Sequence, residues 1–371
     1  MQINNISLRK LSVPLSQPFT TIFATLIQKP LTIVEVSGEG RTGYGECAAI
    51  GVPLYNEECA ETAYYVIENF LIPLLKQKGE INHPSEINIL FEPIRRNRFA
   101  KAAIEQAVWD LYAKTKGISL SSALGGTRKS VEVGISIGLQ KTPEILLSKV
   151  ENALDKGFKR IKIKIKPGFD IQYVKAVRKA FGSIPLQVDA NSAYRLSDKE
   201  TLKALDDFGL LLIEQPLADD DIIDHAVIQK ELSTPICLDE SIHSVEDARK
   251  AIELGSCRII NIKVGRVGGL TETLKIHDYA QSKGIGVWCG GMLDTAIGRA
   301  SNLAAASLPN FLYASDIPPY EERFTEDYVF QPSTLNPDST VDVPVKEGIG
   351  IDIDPEQLNK FTTQIKNFNL E

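Results

Sequence analysis

The sequence predicts an α/β protein, a (β/α) barrel of the modified TIM type carrying an α+β N-terminal capping domain that the C-terminal tail completes. Three observations predict it. From Val131 onward, short apolar stretches alternate with amphipathic helical ones through eight strand candidates, over roughly 190 residues, as a (β/α) barrel requires. One of these stretches, Arg160-Ile161-Lys162-Ile163-Lys164-Ile165-Lys166, alternates with the strand period of two, so its isoleucines share one face and its lysines the other. Finally, Lys164, Asp189, Glu214, Asp239 and Lys263 succeed one another at intervals of 25, 25, 25 and 24 residues, one βα unit each.

The order of elements follows from periodicity. Ile6 to Val13, Leu31 to Ser37 and Tyr44 to Ala48 read as strands, with Gly38-Glu39-Gly40 as a turn between the last two. Leu15 to Leu26 lies between Pro14 and Pro30 and reads as a long loop; Phe19 and Phe23 make it a candidate lid, the alternative being a mobile loop with buried aromatics. Residues 57–78 and 98–116 carry helical periodicity, and in the second Ala103, Ala107, Leu111 and Tyr112 share a face. The barrel strands are then expected at Val131–Ile137, Arg160–Ile165, Leu186–Val188, Leu210–Ile213, Ile236–Leu238, Ile259–Ile262, Gly286–Trp288 and Leu312–Ala314. This divides the chain into a capping domain at 1–126, a barrel at 127–340 and a tail at 341–371 that returns to the capping domain.

Composition sets the class. With 371 residues, 43% hydrophobic and 24% charged, the chain is an ordinary globular one, large enough for a big domain plus a smaller one. A formal charge of -7 provides no basic footprint for nucleic acid. The five cysteines are odd in number and show no CxxC spacing, which argues against a disulfide framework or zinc site and for a reducing cytoplasm. Neither a signal peptide nor a run long enough to span a bilayer is expected, so the chain reads as a soluble cytoplasmic protein, a homo-oligomer with no membrane partner.

The lysine stripe needs an explanation. A solvent-exposed edge strand defended by lysines is the plain one. In a closed barrel, however, the isoleucines pack on the outer helices and the lysines point in at the C-terminal mouth. Three successive strands also end in a carboxylate, in Val188-Asp189-Ala190-Asn191, Ile213-Glu214-Gln215-Pro216 and Leu238-Asp239-Glu240-Ser241. Three carboxylates at one depth repel without a cation, and an all-oxygen set suits a hard divalent ion, Mg2+ first, with Mn2+ as a substitute. Lys164 and Lys263 flank that set. Lys162, a neighbouring cation on the face of Lys164, and burial both disfavour protonation of Lys164, which fits it for a base. Arg266 stands to Lys263 much as Lys162 does to Lys164, unless it is a plain surface arginine. Two bases beside a hard metal suit removal of a proton α to a carboxylate. A Schiff-base aldolase using Lys164, or a catalytically silent barrel, stays open on the residues alone.

In Lys162-Ile163-Lys164, Asp189-Ala190-Asn191, Glu214-Gln215-Pro216, Asp239-Glu240-Ser241 and Asn261-Ile262-Lys263, the chain resembles the enolase superfamily, specifically its muconate-lactonizing subgroup. Within that subgroup it is most similar to the o-succinylbenzoate synthase and N-succinylamino acid (N-acylamino acid) racemase family, over nearly its whole length. The resemblance implies Lys164 and Lys263 as the acid/base pair, Lys162 in support, and Asp189, Glu214 and Asp239 as magnesium ligands. It further implies that the Phe19 loop with Phe23, the Ile50–Tyr55 loop with Tyr55, Ser136, Asn191, Gly291 and Met292 line the substrate cavity. The activity it implies is a magnesium-dependent lyase step of menaquinone synthesis, dehydration of 2-succinyl-6-hydroxy-2,4-cyclohexadiene-1-carboxylate, with racemization of N-succinylamino acids as an alternative or second activity. Ala314-Ser315-Asp316-Ile317-Pro318 lacks the Asp-x-Asp of similar dipeptide epimerases, which lowers that third activity.

Overall fold

The computed structural model of the protein describes residues 1–370. Its N-terminal part is an antiparallel sheet of β1 (Asn5–Thr20), β2 (Thr25–Gly38) and β3 (Arg41–Cys47), joined at the outer edge of β1 by a strand from the other end of the chain, Thr362–Asn369. Asn5 faces Asn369 and Lys10 faces Gln364, so the tail does complete the capping sheet. The predicted helix at 98–116 appears as Arg98–Thr115 and is buried along almost its whole length against that sheet. Its alanines allow the close approach, and so do two glycines of β3. A Cβ at Gly43 would stand 2.1 Å from the Ala107 carbonyl oxygen and one at Gly45 2.0 Å from that of Ala103, which explains Gly43-Tyr44-Gly45-Glu46. The helical stretch at 57–78 appears as Ala60–Val66 and Ile72–Lys78 joined through a π turn at Ile67–Leu71.

The barrel begins after a short strand β4 (Ser130–Glu132) and runs through β5 (Gly134–Ile137), β6 (Arg160–Lys164), β7 (Leu186–Asp189), β8 (Ile213–Glu214), β9 (Ile236–Leu238), β10 (Ile259–Ile262) and β11 (Gly286–Cys289). These seven strands, β5 to β11, form one parallel sheet in sequence order. Ile161, Ile163 and Ile165 are buried in the same core cluster as Val174 and Val177 of the following helix, each isoleucine contributing about 1.5–3 kcal/mol. The lysine stripe therefore belongs to an interior strand with neighbours on both sides, not to an exposed edge.

Four expectations are corrected. The eighth strand, Leu312–Ala314, is not a strand; the segment closes the ring irregularly, with one bridge from Phe311 to Val287 of β11 and one from Ser315 to Val133. Hydrogen bonds from Leu312 N to Val287 O (2.9 Å) and from Gly134 N to Ser315 O (2.9 Å) hold it there. The first strand, Val131–Ile137, divides at Val133 because Ser130–Glu132 pairs with Thr340–Asp342 (β12) instead of with the barrel. The fourth, Leu210–Ile213, is reduced to Ile213–Glu214. Leu15–Leu26 is also no loop. It is the distal part of the β1–β2 hairpin, with Phe19 opposite Leu26, Thr20 opposite Thr25, and pairing interrupted between Pro14 and Phe19. Prolines 14 and 18 lack the N–H that continuous pairing requires, which accounts for the interruption. No helix among the described residues is long and apolar enough to cross a membrane.

Candidate active site

The C-terminal ends of the barrel strands bring the predicted residues together. Lys164, Asp189 and Glu214 are direct neighbours across β6, β7 and β8. Asp239 is not level with them: Glu214 faces Cys237, so Asp239 stands two residues nearer the mouth, following the stagger of a closing barrel. Lys263 immediately follows β10. Asn191 (φ 39°) and Gln215 (φ 36°), each just beyond a strand-end carboxylate, occupy left-handed backbone conformations, as does Leu293 (φ 56°). Such conformations cost a non-glycine residue free energy and concentrate where a site dictates geometry.

The side chains form a buried ionic network. Lys164 Nζ donates to Asp189 Oδ2 at 2.5 Å and Asn191 Oδ1 at 2.6 Å. Lys162 Nζ lies 2.5 Å from Asp316 Oδ2, 3.1 Å from Glu214 Oε2 and 3.4 Å from Asp189 Oδ2. Lys263 Nζ lies 2.8 Å from Asp239 Oδ2 and donates to the Tyr55 hydroxyl at 3.1 Å, with its charge 4.6 Å from the Tyr55 ring centroid. Arg266 is no surface residue. It is 0% exposed, pairs with Asp239, and donates to the carbonyls of Ile242 (2.8 Å) and Asn261 (2.6 Å). Its route to Lys263 therefore runs through a shared carboxylate, and Tyr55 links the same three groups by donating to Asp239 Oδ1 at 3.2 Å.

The surrounding groups favour the charge on Lys162 and on Lys263. Burial works against the charge on Lys162, but Asp316, Glu214 and Asp189 outweigh it and hold the lysine above its ordinary pKa. Lys263 is raised in the same way, with Tyr55, Glu240 and Glu214 overcoming burial. In this arrangement both keep their protons, because carboxylates turn toward them. Burial opposes ionisation of Asp189 as well, yet Lys164 and Lys162 hold it below the usual carboxylate range. Glu214 goes the other way: burial, then the Asp189 charge, raises it despite Lys162.

A cavity of about 110 Å³ opens over this network. Its walls include all seven predicted lining residues, Phe19, Phe23, Tyr55, Ser136, Asn191, Gly291 and Met292, together with Lys162, Lys164 and Lys263. Asp189, Glu214, Asp239 and Arg266 lie behind that surface, at 1% exposure or less. Glycine is needed in the wall at Gly291, where a Cβ would stand 2.5 Å from the Asp316 carbonyl oxygen, and just before it at Gly290, where one would stand 2.4 Å from Asn261 Oδ1. Sequence reasoning missed Asp316, which holds Lys162 and Arg160, and Arg323, which lines the cavity from an irregular segment. It also left Glu240 and Asn261 without roles, although Asn191 donates to Glu240 (2.8 Å) and Asn261 to Glu214 (2.8 Å). Asn261 stands two residues before Lys263, on the same strand face, and that alternation was the available signal; Glu240, directly after Asp239, had no such signal.

As the side chains stand, no three His, Cys, Asp or Glu groups among the described residues converge as a metal cage, because the carboxylates turn to the lysines and Arg266. The donor set nevertheless fits a divalent cation. Asp189, Glu214 and Asp239 offer only oxygen, and beside them the buried Glu240 Oε2 lacks a hydrogen-bond partner. An acidic oxygen so deep and unpartnered, next to three further carboxylates, calls for a cation.

Buried lysines and carboxylates meeting at the C-terminal mouth of a barrel, under a separate α+β cap, define a metal-assisted acid–base enzyme. The family of the mandelate racemase / muconate lactonizing enzyme N-terminal domain matches residues 4–125, and the enolase C-terminal domain-like family matches residues 146–357. The chain belongs to the enolase superfamily. It is 49% identical to an o-succinylbenzoate synthase of Geobacillus kaustophilus over 370 residues, covering all of this chain and 98% of the relative. It is 44% identical to an N-succinylamino acid racemase of Thermus thermophilus, with 95% of each chain covered. A crystal structure of an enolase superfamily member from Listeria innocua superposes with a TM-score of 0.96 at 44% identity, over the full length of both chains.

Proposed function

We propose that the protein is an o-succinylbenzoate synthase that dehydrates 2-succinyl-6-hydroxy-2,4-cyclohexadiene-1-carboxylate, a step of menaquinone synthesis. The observation that carries this reading is the pair Lys164 and Lys263 in the wall of one cavity, with the carboxylates Asp189, Glu214 and Asp239 directly behind it. Full-length similarity to o-succinylbenzoate synthases supports the choice of substrate. Asp189, Glu214 and Asp239 would hold the divalent cation, which we take to be Mg2+. When bound, it supplies fixed positive charge beside the substrate carboxylate as the α-proton leaves. Lys164 takes that proton. The electrons of the broken C–H bond form the new ring double bond as the neighbouring C–OH bond breaks, and the hydroxyl leaves as water by taking the proton that Lys164 has accepted. Lys263 faces the developing negative charge as a cation, while Lys162 and Arg266 orient the carboxylates around it. The hairpin carrying Phe19 and Phe23 excludes water.

Racemization of N-succinylamino acids is the second reading, favoured by the similarity to racemases and by a lysine on each flank of the carboxylates. Five buried free cysteines support a cytoplasmic setting. Purified protein with magnesium should aromatise the cyclohexadiene substrate, followed by its ultraviolet change. Turnover unaffected by excess EDTA would overturn the mechanism.

A further inference from the structure

Five cations line the cavity: Lys162, Lys164, Lys263, Arg299 and Arg323. Four are engaged by carboxylates, Lys162 by Asp316 and Glu214, Lys164 by Asp189, Lys263 by Asp239 and Arg299 by Asp327. Arg323 differs. No carboxylate among the described residues forms an ion pair with it, and its guanidinium meets only neutral acceptors. Nη2 donates to the Ser136 carbonyl at 2.9 Å, and Nη1 makes a long contact, 3.5 Å, with the carbonyl of its own neighbour Glu322. The nearby acids are committed elsewhere: the Glu322 carboxylate to Lys156 at 2.8 Å, and Asp316 to Arg160 at 2.7 Å and Lys162 at 2.5 Å.

We infer that Arg323 binds a second carboxylate of the substrate, remote from the reacting carbon, and so selects dicarboxylates. A guanidinium is a planar fork whose geometry matches a carboxylate, and one in a cavity wall with no carboxylate paired to it is prepared to receive one. The fork is braced. Phe19 stacks on it, ring centroid 4.9 Å from Cζ, and the Arg323 carbonyl accepts from Ser16 N at 2.8 Å, so the hairpin grips the arginine from both sides. Position fits as well. Ser136 is the β5 neighbour of Lys162, which puts Arg323 on the β5–β6 side of the cavity, whereas Lys263 follows β10. Arg323 also lines a larger outer groove of about 1020 Å³, with Lys141, Lys149 and Lys166, that runs beneath the hairpin. A dianion would be drawn along that groove and its distal carboxylate retained where groove and cavity meet. Because Phe19 covers the arginine, recognition of this carboxylate and seating of the hairpin become one event.

This assignment rests on the proposed function, which supplies the first carboxylate at the metal end, and names the group that reads the succinyl tail. The test compares o-succinylbenzoate with 2-butanoylbenzoate, the same skeleton ending in methyl, by titration calorimetry on the magnesium-loaded full-length protein. The wild type should bind o-succinylbenzoate about tenfold to a hundredfold more tightly, the range expected of a hydrogen-bonded charge pair. Arg323→Gln should reduce that ratio to about twofold or less, and Arg323→Lys, which keeps the charge but not the fork, should leave an intermediate ratio. A wild type indifferent to the distal carboxylate overturns the assignment. So does an Arg323→Gln protein that keeps the preference, or loses both ligands in equal proportion, as a purely structural arginine would. Dehydration is assayed in parallel. Its absence from a wild type that shows the binding preference overturns the proposed function alone.

Discussion

Glu46, on the capping sheet, caps the barrel helix that begins beyond Thr295. Its carboxylate accepts from Thr295 N at 3.0 Å, from the Thr295 hydroxyl at 2.6 Å and from Gly298 N at 2.9 Å, all buried. The loop Gly291 to Asp294, which walls the cavity, leads directly into that helix. Glu46 thus ties the cap to the wall of the site. Glu46→Ala should strand two buried helix N–H groups and cost about 2–4 kcal/mol, read as a lower Tm. It should also raise KM by loosening the Gly291–Met292 wall. Metal affinity should stay unchanged, since Asp189, Glu214 and Asp239 are borne on other strands.

Glu214 is fully buried and accepts from both Lys162 and Asn261. Glu214→Gln should lower Mn2+ affinity, measured by calorimetry, by at least about tenfold, because a neutral amide replaces an anionic ligand. Its circular dichroism should remain that of the wild type. An unaltered affinity removes Glu214 from the ligand set.

The hairpin tip is held by its own turn, in which Thr21 Oγ1 accepts from Phe23 N (3.1 Å) and Ala24 N (3.2 Å), and Thr20 O accepts from Leu139 N (3.0 Å). Phe19 and Phe23 face the cavity from this platform. Phe19→Ala should raise KM or lower kcat by about tenfold without altering metal affinity. A product analogue should protect Thr21–Ala24 from protease; equal cleavage with and without it would count against closure.

Glu105 provides a pH prediction outside the site. This buried carboxylate accepts from Leu270 N (2.7 Å), Thr271 N (2.8 Å) and Trp109 Nε1 (2.8 Å), joining the capping helix to the barrel helix Leu270–Ser282. Burial pushes its pKa up to about 7, against those hydrogen bonds, from an ordinary value of 4.5. The folded state then holds the proton more tightly than the unfolded one. The stabilisation is complete below pH 4.5 and is lost as the pH rises to about 7, at most about 3 kcal/mol. Glu105→Gln should therefore show a shallower fall in Tm across that window than the wild type.

Much of this arrangement was legible in the sequence because the barrel imposes a repeat. Strict alternation exposed the face shared by Lys162 and Lys164, and one carboxylate or lysine per βα unit exposed Asp189, Glu214, Asp239 and Lys263. What broke the repeat stayed hidden. Asp316 belongs to the closing segment, where single bridges replace a ladder and Leu312, expected inside a strand, is 58% exposed. Arg323 follows in an irregular stretch with no periodicity to place it. The stagger that lifts Asp239 above Glu214 depends on inter-strand register, which residue spacing does not encode. The hairpin within Leu15–Leu26 was obscured by the same prolines that interrupt its pairing. Arg266 stayed open between support for Lys263 and a plain surface arginine because its partners, Asp239 and the carbonyls of Ile242 and Asn261, come from two different strand ends.

The last prediction separates the two lysines. Lys164 ends β6 and Lys263 follows β10, with β7, β8 and β9 and their carboxylates between them. Each should therefore meet a different face of a planar intermediate centred on the metal site. Inverting a carbon centre requires a proton to leave one face and another to arrive at the opposite face, so racemization needs both lysines, whereas dehydration needs only the one that takes the proton. In deuterium oxide the wild type should exchange the α-proton of both enantiomers of an N-succinylamino acid, followed by proton NMR. Lys164→Ala should lose exchange with one enantiomer and keep some with the other, and Lys263→Ala should show the reverse. Neither should racemize. Dehydration should fail in Lys164→Ala, and it should be slowed in Lys263→Ala by loss of a cation beside the developing charge, on the order of a hundredfold or more. A wild type that dehydrates but exchanges neither enantiomer would restrict the protein to the synthase reaction. Loss of exchange with the same enantiomer in both variants would place the two lysines on one face and overturn the opposed arrangement.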